Sequence, residues 1–394
     1  MQQASVDPYV LSMKLLILSI SYGFMYYIIS MKETGKKNTL KARPDDSLKD
    51  MLLRMLTSEG ESLKSLYARA DRVRQAHMGD EVYIRGIIEF SNICANDCLY
   101  CGIRASNHRV NRYAMTIDEI LVTAKSMEPL GQTTVVLQSG ETPGLTDNEI
   151  GALVRRIKTE TSLAVTLSIG NRPYETYRFW KDCGMDRYLI RFETSDRELF
   201  AKLHPDCSFD ERIECLHMLK ELRIQTGSGF MIGLPGETLE VLADNILLCR
   251  QLDLDMIGIG PYIPHPDTPL GKENNAYQGD EEIFFKALAA LRIVNPDAHI
   301  PATTAFDAVF PGVGRNLALE RGANVFMPND TPARHRKDYL LYPGKPCVDE
   351  TADECAGCVL ARISAIGREV GKGPGHSFKM DRKRGTITDK GRVG

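Results

Sequence analysis

The sequence carries almost no net charge. Its 49 lysines and arginines nearly balance 52 aspartates and glutamates, leaving −3 over 394 residues. Nothing in that balance points to nucleic acid as a partner. There is no strict internal repeat and no low-complexity segment, so a solenoid or a disordered chain is not expected. The ten cysteines are not spaced as a disulfide framework, and the chain is far larger than a stapled secreted domain. What is present is ordinary for a globular protein: 43% hydrophobic and 26% charged residues, enough for a full core in one large domain or two smaller ones. Six of the ten cysteines fall in two tight groups, Cys94, Cys98, Cys101 and Cys347, Cys355, Cys358. In an enzyme-sized chain such grouping favours metal over disulfide, and with it a reducing, cytoplasmic compartment.

The N-terminus departs from this even composition. "LLILSISYGFMYYIISM", Leu15 to Met31, runs 17 residues without a charge. That is at the short end of membrane-spanning length. Lys32, Lys36, Lys37, Lys41 and Arg43 follow, which would hold the rest of the chain in the cytoplasm. No small-residue cleavage site closes the run, which argues against a signal peptide. Three readings stand: an extension ahead of a natural start at Met31, a membrane anchor through residues 9–31, or a helix packed on the domain.

From Ser47 to His77 apolar residues recur at helical steps, and Gly79 closes the pattern. Eight strand-like runs follow: Val82–Phe90, Thr133–Gly140, Ala164–Gly170, Arg187–Glu193, Ile224–Gly233, Leu254–Ile263, His299–Phe306 and Ala323–Asn329. Amphipathic helical stretches lie between them, several opened by Thr or Asp as N-caps. This alternation over roughly 250 residues predicts an α/β fold, a closed (β/α)8 TIM barrel, with an open doubly wound sheet as the alternative. The expected division is an apolar and basic extension (1–46), N-terminal helices (47–81), the barrel (82–345) and a C-terminal segment with the second cysteine group (346–394). The Gly-rich, basic end, "GKGPGHSFKMDRKRGTITDKGRVG", reads as a loose, solvated tail.

"NICANDCLYCG" spaces Cys94, Cys98 and Cys101 as C-x3-C-x2-C directly after the first strand. In a parallel barrel that loop lies on the C-terminal, catalytic face. Three thiolates can hold three irons of a 4Fe–4S cluster and leave the fourth open. A closed zinc site with His108 as fourth ligand is the structural alternative. The spacing, with Tyr100 before the last cysteine, resembles the signature of the radical S-adenosylmethionine (SAM) superfamily. The resemblance implies that SAM chelates the open iron through its amino and carboxylate groups. Gln138, Ser139, Gly140 and Glu141 end strand 2 where that superfamily carries its SAM-contacting Gly-Glu motif. "GFMIGLPGE", with Met231, resembles the strand that lies along the nucleoside.

The segments "VVLQSGE", "VTLSIG", "DRYLIRFET", "HPDCSFDERIECL", "MIGIGPYIPHPDTPL", "IPATTAF", "GANVFMPN" and "LLYPGKPC" together resemble the HydE family of FeFe-hydrogenase maturases, over about Asp80 to Cys358. The resemblance implies that Glu193 and Arg212 grip the polar end of SAM. It places Met256 and Tyr339 on the SAM and cavity side. Thr166, Arg187, Arg191, Thr303 and Thr304 become substrate residues. A buried arginine needs an anion, which a substrate or a salt bridge could equally supply. The second group, Cys347-x7-Cys355-x2-Cys358, matches an optional auxiliary iron–sulfur site. Its bottom-up reading is iron–sulfur or zinc, with His335 or His376 as a further ligand. Cys183, Cys207, Cys215 and Cys249 read as packed thiols.

The activity so implied is reductive cleavage of SAM to a 5′-deoxyadenosyl radical. The implied partners are a small-molecule or iron-complex substrate, a reductant such as ferredoxin or flavodoxin, and companion maturases. Phe192, where the family often has histidine, and "ETPGLTD" depart from its pattern. They leave open an amino-acid or thiazolidine-like substrate, as in methylornithine synthase or biotin synthase relatives. A noncatalytic metal scaffold is the reading from another class.

Overall fold

Parallel strands in consecutive order make the wall. In the computed structural model, which describes residues 44–379 except 143 and 351, β2 (Gly86–Ser91), β3 (Thr134–Ser139), β4 (Ala164–Ser168), β5 (Arg187–Leu189), β6 (Gln225–Ile232) and β7 (Met256–Pro261) form one six-stranded sheet in that order. The first predicted strand is interrupted at Arg85, so that β1 (Glu81–Ile84) precedes β2. β1 pairs with β9 (Val325–Phe326), which pairs with β8 (Pro301–Ala302). The ladder continues past the interruption, with Arg85 N–H donating to Phe326 O at 3.0 Å and Ile87 N–H to Pro328 O at 2.9 Å. On the other side, Ile257 and His299 join β7 to the start of β8. The ring therefore closes: β1 and β2 count as one strand, and β3 to β9 supply the other seven. β8 is the weakest link because Pro301 has no N–H to donate.

The threonine caps read from sequence hold, whereas the helices Phe209–Glu221 and Glu282–Val294 start without a side-chain cap. Thr116 and Thr146 form capping boxes with Glu119 and Glu149 at the starts of Ile117–Met127 and Asp147–Glu160. Each helix turns its apolar stripe, such as Ile120, Leu121, Ala124 and Met127, onto the wall. β6 is buried along its whole length, as a parallel strand covered on both faces must be.

Leu48 onward forms one compact unit. The residue range 9–31 and its basic flank lie outside the described residues. No helix among the described residues is long and apolar enough to cross a membrane.

The tail corrects its sequence reading. After β10 (Glu369–Val370), residues 371–379 run across the N-terminal mouth of the barrel and close it. Arg85 Nη2 donates to Gly375 O at 3.0 Å and Arg187 Nη2 to Pro374 O at 2.6 Å. Ser377, fully buried, takes Gln225 Oε1 on its N–H and donates its hydroxyl to Asp255. The glycines and Pro374 that suggested looseness instead let carbonyls reach buried guanidinium groups. Residues 380–394 lie outside the described part.

Candidate active site

The cysteine loop is held from both ends. Asn92, fully buried, accepts from Tyr113 N–H at 2.8 Å and donates to Asn111 O and Asp338 O at 2.7 Å each. Arg112 donates to the carbonyls of Asn92 (2.6 Å), Ile103 (2.8 Å), Arg104 (2.6 Å) and Asn107 (3.2 Å), tying the strand before the loop to the chain after it. Leu99 N–H meets Leu203 O and Gly102 N–H meets Leu341 O, both at 3.0 Å. A Cβ on Gly140 would stand 2.3 Å from Ile93 O and 2.7 Å from Cys94 Cβ, so only glycine lets β3 come this close to the loop. Glu141 N–H points at Cys94 Sγ, 3.4 Å away.

Burial, reinforced by the neighbouring cysteines, pushes the Cys98 thiol far up and the Cys101 thiol up to about 12. Cys98 and Cys101 so buried become thiolates only against a compensating cation. An iron–sulfur cluster supplies that, and the donor set fits it. His108, the candidate fourth ligand of a zinc site, is exposed.

The loop faces polar atoms with nothing to bind. Arg191 Nε and Nη2, Glu193 Oε2, Arg212 Nε and Asn171 Oδ1 are all buried and lack a hydrogen-bond partner, as does Thr166 Oγ1, further down β4 in register with Arg187. Arg191 Nη2 and Glu193 Oε2 lie 3.1 Å apart, but too poorly aligned to bond. Glu193 also holds a left-handed backbone, φ 63°. For a non-glycine residue that costs about 1 kcal/mol or more and persists only where its surroundings enforce it. Here they do: Glu193 N–H donates to Gly229 O and its carbonyl accepts from Met231 N–H. Burial raises the Glu193 carboxyl, against the pull of Arg191 and Arg212. For Arg212 burial opposes the charge, but Glu141, Cys207, Tyr100 and Glu193 outweigh it and raise its pKa. A carboxylate and a guanidinium, each unsatisfied, suit a zwitterion such as the amino-carboxylate end of SAM.

Tyr100 is fixed beside this group. His204 Nδ1 lies 3.2 Å from Phe200 O, which can only accept, so Nε2 is the acceptor for Tyr100 OH at 2.9 Å. Burial, then the charge of Arg212, push His204 down to about 3, which keeps it neutral. Glu141, expected at the SAM amino group, is held firmly in place. Its carboxylate takes Asn171 N–H at 2.5 Å and packs on Gly170, where a Cβ would stand 2.1 Å from it. Arg172 donates to its carbonyl.

Deeper in the barrel, Gln138 Nε2 reaches Tyr339 OH at 3.4 Å. Thr303 Oγ1 donates to Ile259 O, and Thr304 Oγ1 meets Tyr342 OH at 2.6 Å. Ser139 bonds only the Gly140 carbonyl, and Met231 is buried against Tyr100 and Leu99. Sequence reasoning missed the buried Glu89–Lys345 ion pair, with Asn329 on the second Glu89 oxygen at 3.1 Å. A lone carboxylate inside the apolar run "VYIRGIIEF" was the available signal.

Two expected site residues are not brought to the cysteine loop. Arg187 and Met256 begin β5 and β7, at the opposite mouth. Arg187 bonds Thr134, Gln225, Pro374 and His376, and Met256 Sδ lies 3.0 Å from Arg85 Nη1.

In the second cysteine group, ligand atoms of Cys347, Glu350 and Cys355 lie within 4.8 Å of one another, while Cys358 is exposed one turn further along the helix Ala352–Ala365. Neither expected histidine joins them. His335 stacks on Tyr113 at 4.3 Å, and His376 is in the tail at the far mouth. Cys183, Cys215 and Cys249 are buried, whereas Cys207 is half-buried with Asn96 Nδ2 at 3.3 Å.

A (β/α)8 barrel with three cysteines in its first βα loop, set above unpaired carboxylate and guanidinium atoms, is the architecture of a radical SAM enzyme. The sequence profile of the radical SAM superfamily matches residues 88–249. The chain is 48% identical over 309 residues to the [FeFe] hydrogenase maturase subunit HydE of Thermotoga maritima, covering 78% of this chain and 87% of that protein. It is 30% identical over 336 residues to 3-methylornithine synthase of Methanosarcina acetivorans, 82% and 89% of the two chains. The crystal structure of methylornithine synthase (PylB) superposes with a TM-score of 0.71 at 26% identity, over 82% of this chain and 97% of that one. The chain belongs to the radical SAM superfamily and, within it, to the HydE family. It is therefore an enzyme of reductive SAM cleavage that takes a 4Fe–4S cluster and SAM.

Proposed function

We propose that this enzyme is a maturase of FeFe-hydrogenase, acting on sulfur of a small cysteine-bound iron carbonyl cyanide precursor. The observation that carries this is the 48% identity to the HydE maturase across 309 residues. When bound, the cluster supplies one electron to the SAM sulfonium, whose carbon–sulfur bond breaks to methionine and the 5′-deoxyadenosyl radical. The chain's part is to hold and orient. Cys94, Cys98 and Cys101 hold three irons. Arg212 binds the SAM carboxylate and Glu193 its ammonium or ribose, with Glu141 steadied through Asn171 to set the loop. Arg191 and Thr166, whose buried polar atoms lack partners, face an anionic substrate with Tyr339, Thr303 and Thr304 around it. The auxiliary site holds a second iron–sulfur cluster. A ferredoxin or flavodoxin delivers the electron, and companion maturases deliver and receive the iron complex.

Anaerobic reconstitution and SAM turnover with the synthetic iron precursor test this reading. Formation of a deoxyadenosine–sulfur adduct dependent on the precursor is expected, and its absence beside ready SAM cleavage would refute the substrate. The 30% identity to 3-methylornithine synthase favours an amino-acid substrate as the second reading. Deuterium transfer from a labelled amino acid into 5′-deoxyadenosine would select it.

A further inference from the structure

Three cysteines leave the second site one ligand short, and the fold offers the missing one. We propose that Glu350 is a ligand of that site, which binds a two-iron cluster through Cys347, Glu350, Cys355 and Cys358. This rests on reading the second group as an iron–sulfur site.

Four observations converge. First, the Glu350 carboxylate and the Cys347 and Cys355 sulfurs already lie within 4.8 Å of one another. Second, Cys347 holds a left-handed backbone, φ 62°. A branchless glycine would be the default there, and strain of this kind gathers at ligand clamps. Third, the turn from Cys347 to Glu350 is fastened from inside the fold. Arg336, 1% exposed, donates through Nε to Thr331 O at 2.5 Å and through Nη1 to Cys347 O at 3.0 Å and Glu350 O at 2.5 Å. One buried guanidinium thus sets both ligands on the same side of the turn. Fourth, the site faces a cation with donors to spare. Arg315, 2% exposed, pairs through Nε with Asp307 at 2.6 Å, a carboxylate it shares with Arg362, so the three carry a net positive charge; its Nη2 lies 3.7 Å from Cys347 Sγ, and its buried Nη1 has no partner. A buried, underused guanidinium suits an anionic occupant. A cluster carrying three thiolates and a carboxylate is anionic.

The helix supplies the rest. Cys355 and Cys358 are three apart and share a face. Cys358 and Glu350 are exposed, so iron can enter without unfolding the chain. The carboxylate matters chemically: it is a harder ligand than thiolate, and non-thiolate ligation is one way a two-iron cluster changes its potential.

The test uses the full chain with Cys94, Cys98 and Cys101 replaced by alanine, reconstituted anaerobically with iron and sulfide, so that only the second site absorbs. Expected are about two irons per chain, an oxygen-ligated iron in the Mössbauer spectrum and a rhombic EPR signal on reduction. Glu350→Ala should speed iron loss to a chelator by about tenfold or more. Glu350→Cys should keep the iron but shift the EPR g-values and red-shift the absorption toward those of an all-thiolate cluster. Unchanged spectra and chelation rate in both Glu350 variants would overturn the ligand assignment while leaving the auxiliary cluster intact. No iron in the parent variant would overturn the auxiliary cluster itself.

Discussion

Replacing Arg187 by methionine separates two roles that its sequence position could not. Arg187 is fully buried and makes four hydrogen bonds, to Thr134 Oγ1 (3.2 Å), Gln225 Oε1 (3.4 Å), Pro374 O (2.6 Å) and His376 Nδ1 (3.1 Å). The short charge-assisted bond to Pro374 O contributes about 2 kcal/mol and the three longer ones about 1 kcal/mol each, for about 5 kcal/mol gross. Against this stands burial, which pulls the guanidinium down to about 10. Holding it charged at neutral pH then costs about 3 kcal/mol. The bonds win by about 2 kcal/mol, so Arg187→Met should lower the urea unfolding free energy by that amount. The stranded Pro374 carbonyl then frays first, so proteolysis should cut the tail between residues 371 and 379 faster. Uncoupled SAM cleavage, governed at the other mouth, should stay within about threefold of the parent, a difference under 1 kcal/mol. Unchanged stability with a collapse of substrate-dependent turnover would refute this reasoning and return Arg187 to the substrate.

The same structure makes three shorter predictions. Gly140→Ala puts a Cβ into the backbone of Ile93 and against Cys94. Strain of about 1–3 kcal/mol must move the cysteine loop, so the reconstituted protein should lose the iron of the SAM site; full iron content would show that the loop yields. Arg212→Lys keeps a charge but loses the fork that donates to Arg191 O at 3.1 Å and leaves Nε free. The KM for SAM should rise about 10- to 100-fold, for about 1.4–3 kcal/mol, with kcat less affected; an unchanged KM would remove Arg212 from SAM binding. Burial lifts the Glu237 carboxyl to about 8, despite its bonds from Gly233 N–H and Asn245 Nδ2. The folded state then binds this proton more tightly than the unfolded one. The stability so gained is complete below the ordinary carboxylate range and is lost as pH rises through about 8, by about 2–4 kcal/mol. Unfolding free energies from urea titrations at pH 6 and pH 9 should differ by that amount in the parent and much less in Glu237→Gln; equal differences would place the titration elsewhere.

The cluster loop was legible because its information is local. Three cysteines and an aromatic residue within eight positions survive any uncertainty in register. Strand periodicity was legible too, and it gave the inward face of β4, β5 and β7. It could not give height. Alternate residues share a face along the whole strand, so Arg187 and Arg191 looked equivalent, although one serves the tail and the other meets Glu193. Partners far apart in sequence were invisible for a related reason. Glu89 and Lys345 are 256 residues apart, and neither alone says that it is buried. The tail misled because its contacts are made largely through backbone carbonyls, which every sequence has. Glu350 carries no sequence signal, since its proximity to Cys347 depends on Arg336, fourteen residues earlier, bonding both backbone carbonyls.

How well polar groups are satisfied distinguishes the two mouths of the barrel. At the tail end, Arg187, Gln225, Asp255 and Ser377 are joined in one hydrogen-bonded layer, although Arg85 Nε, Gln132 Oε1, Asp330 Oδ2 and Arg368 Nη2 around it lack partners. Burying such groups is tolerable because their bonds are made inside the protein. At the cysteine end, Arg191, Glu193 and Arg212 hold buried polar atoms with bonds unmade, and Glu193 holds a strained backbone as well. An unmade buried bond costs about 1–3 kcal/mol, so several of them together are hard to keep unless a ligand completes them. The unmet demand lies where the buried Cys98 and Cys101 thiols also need a cation, and a cluster with a cationic iron–sulfide core, together with a zwitterionic cofactor, meets both at once. The closed mouth complements this. A barrel that generates a radical at one end gains from having no water path at the other, and residues 371–379 occupy that path with fixed, hydrogen-bonded backbone.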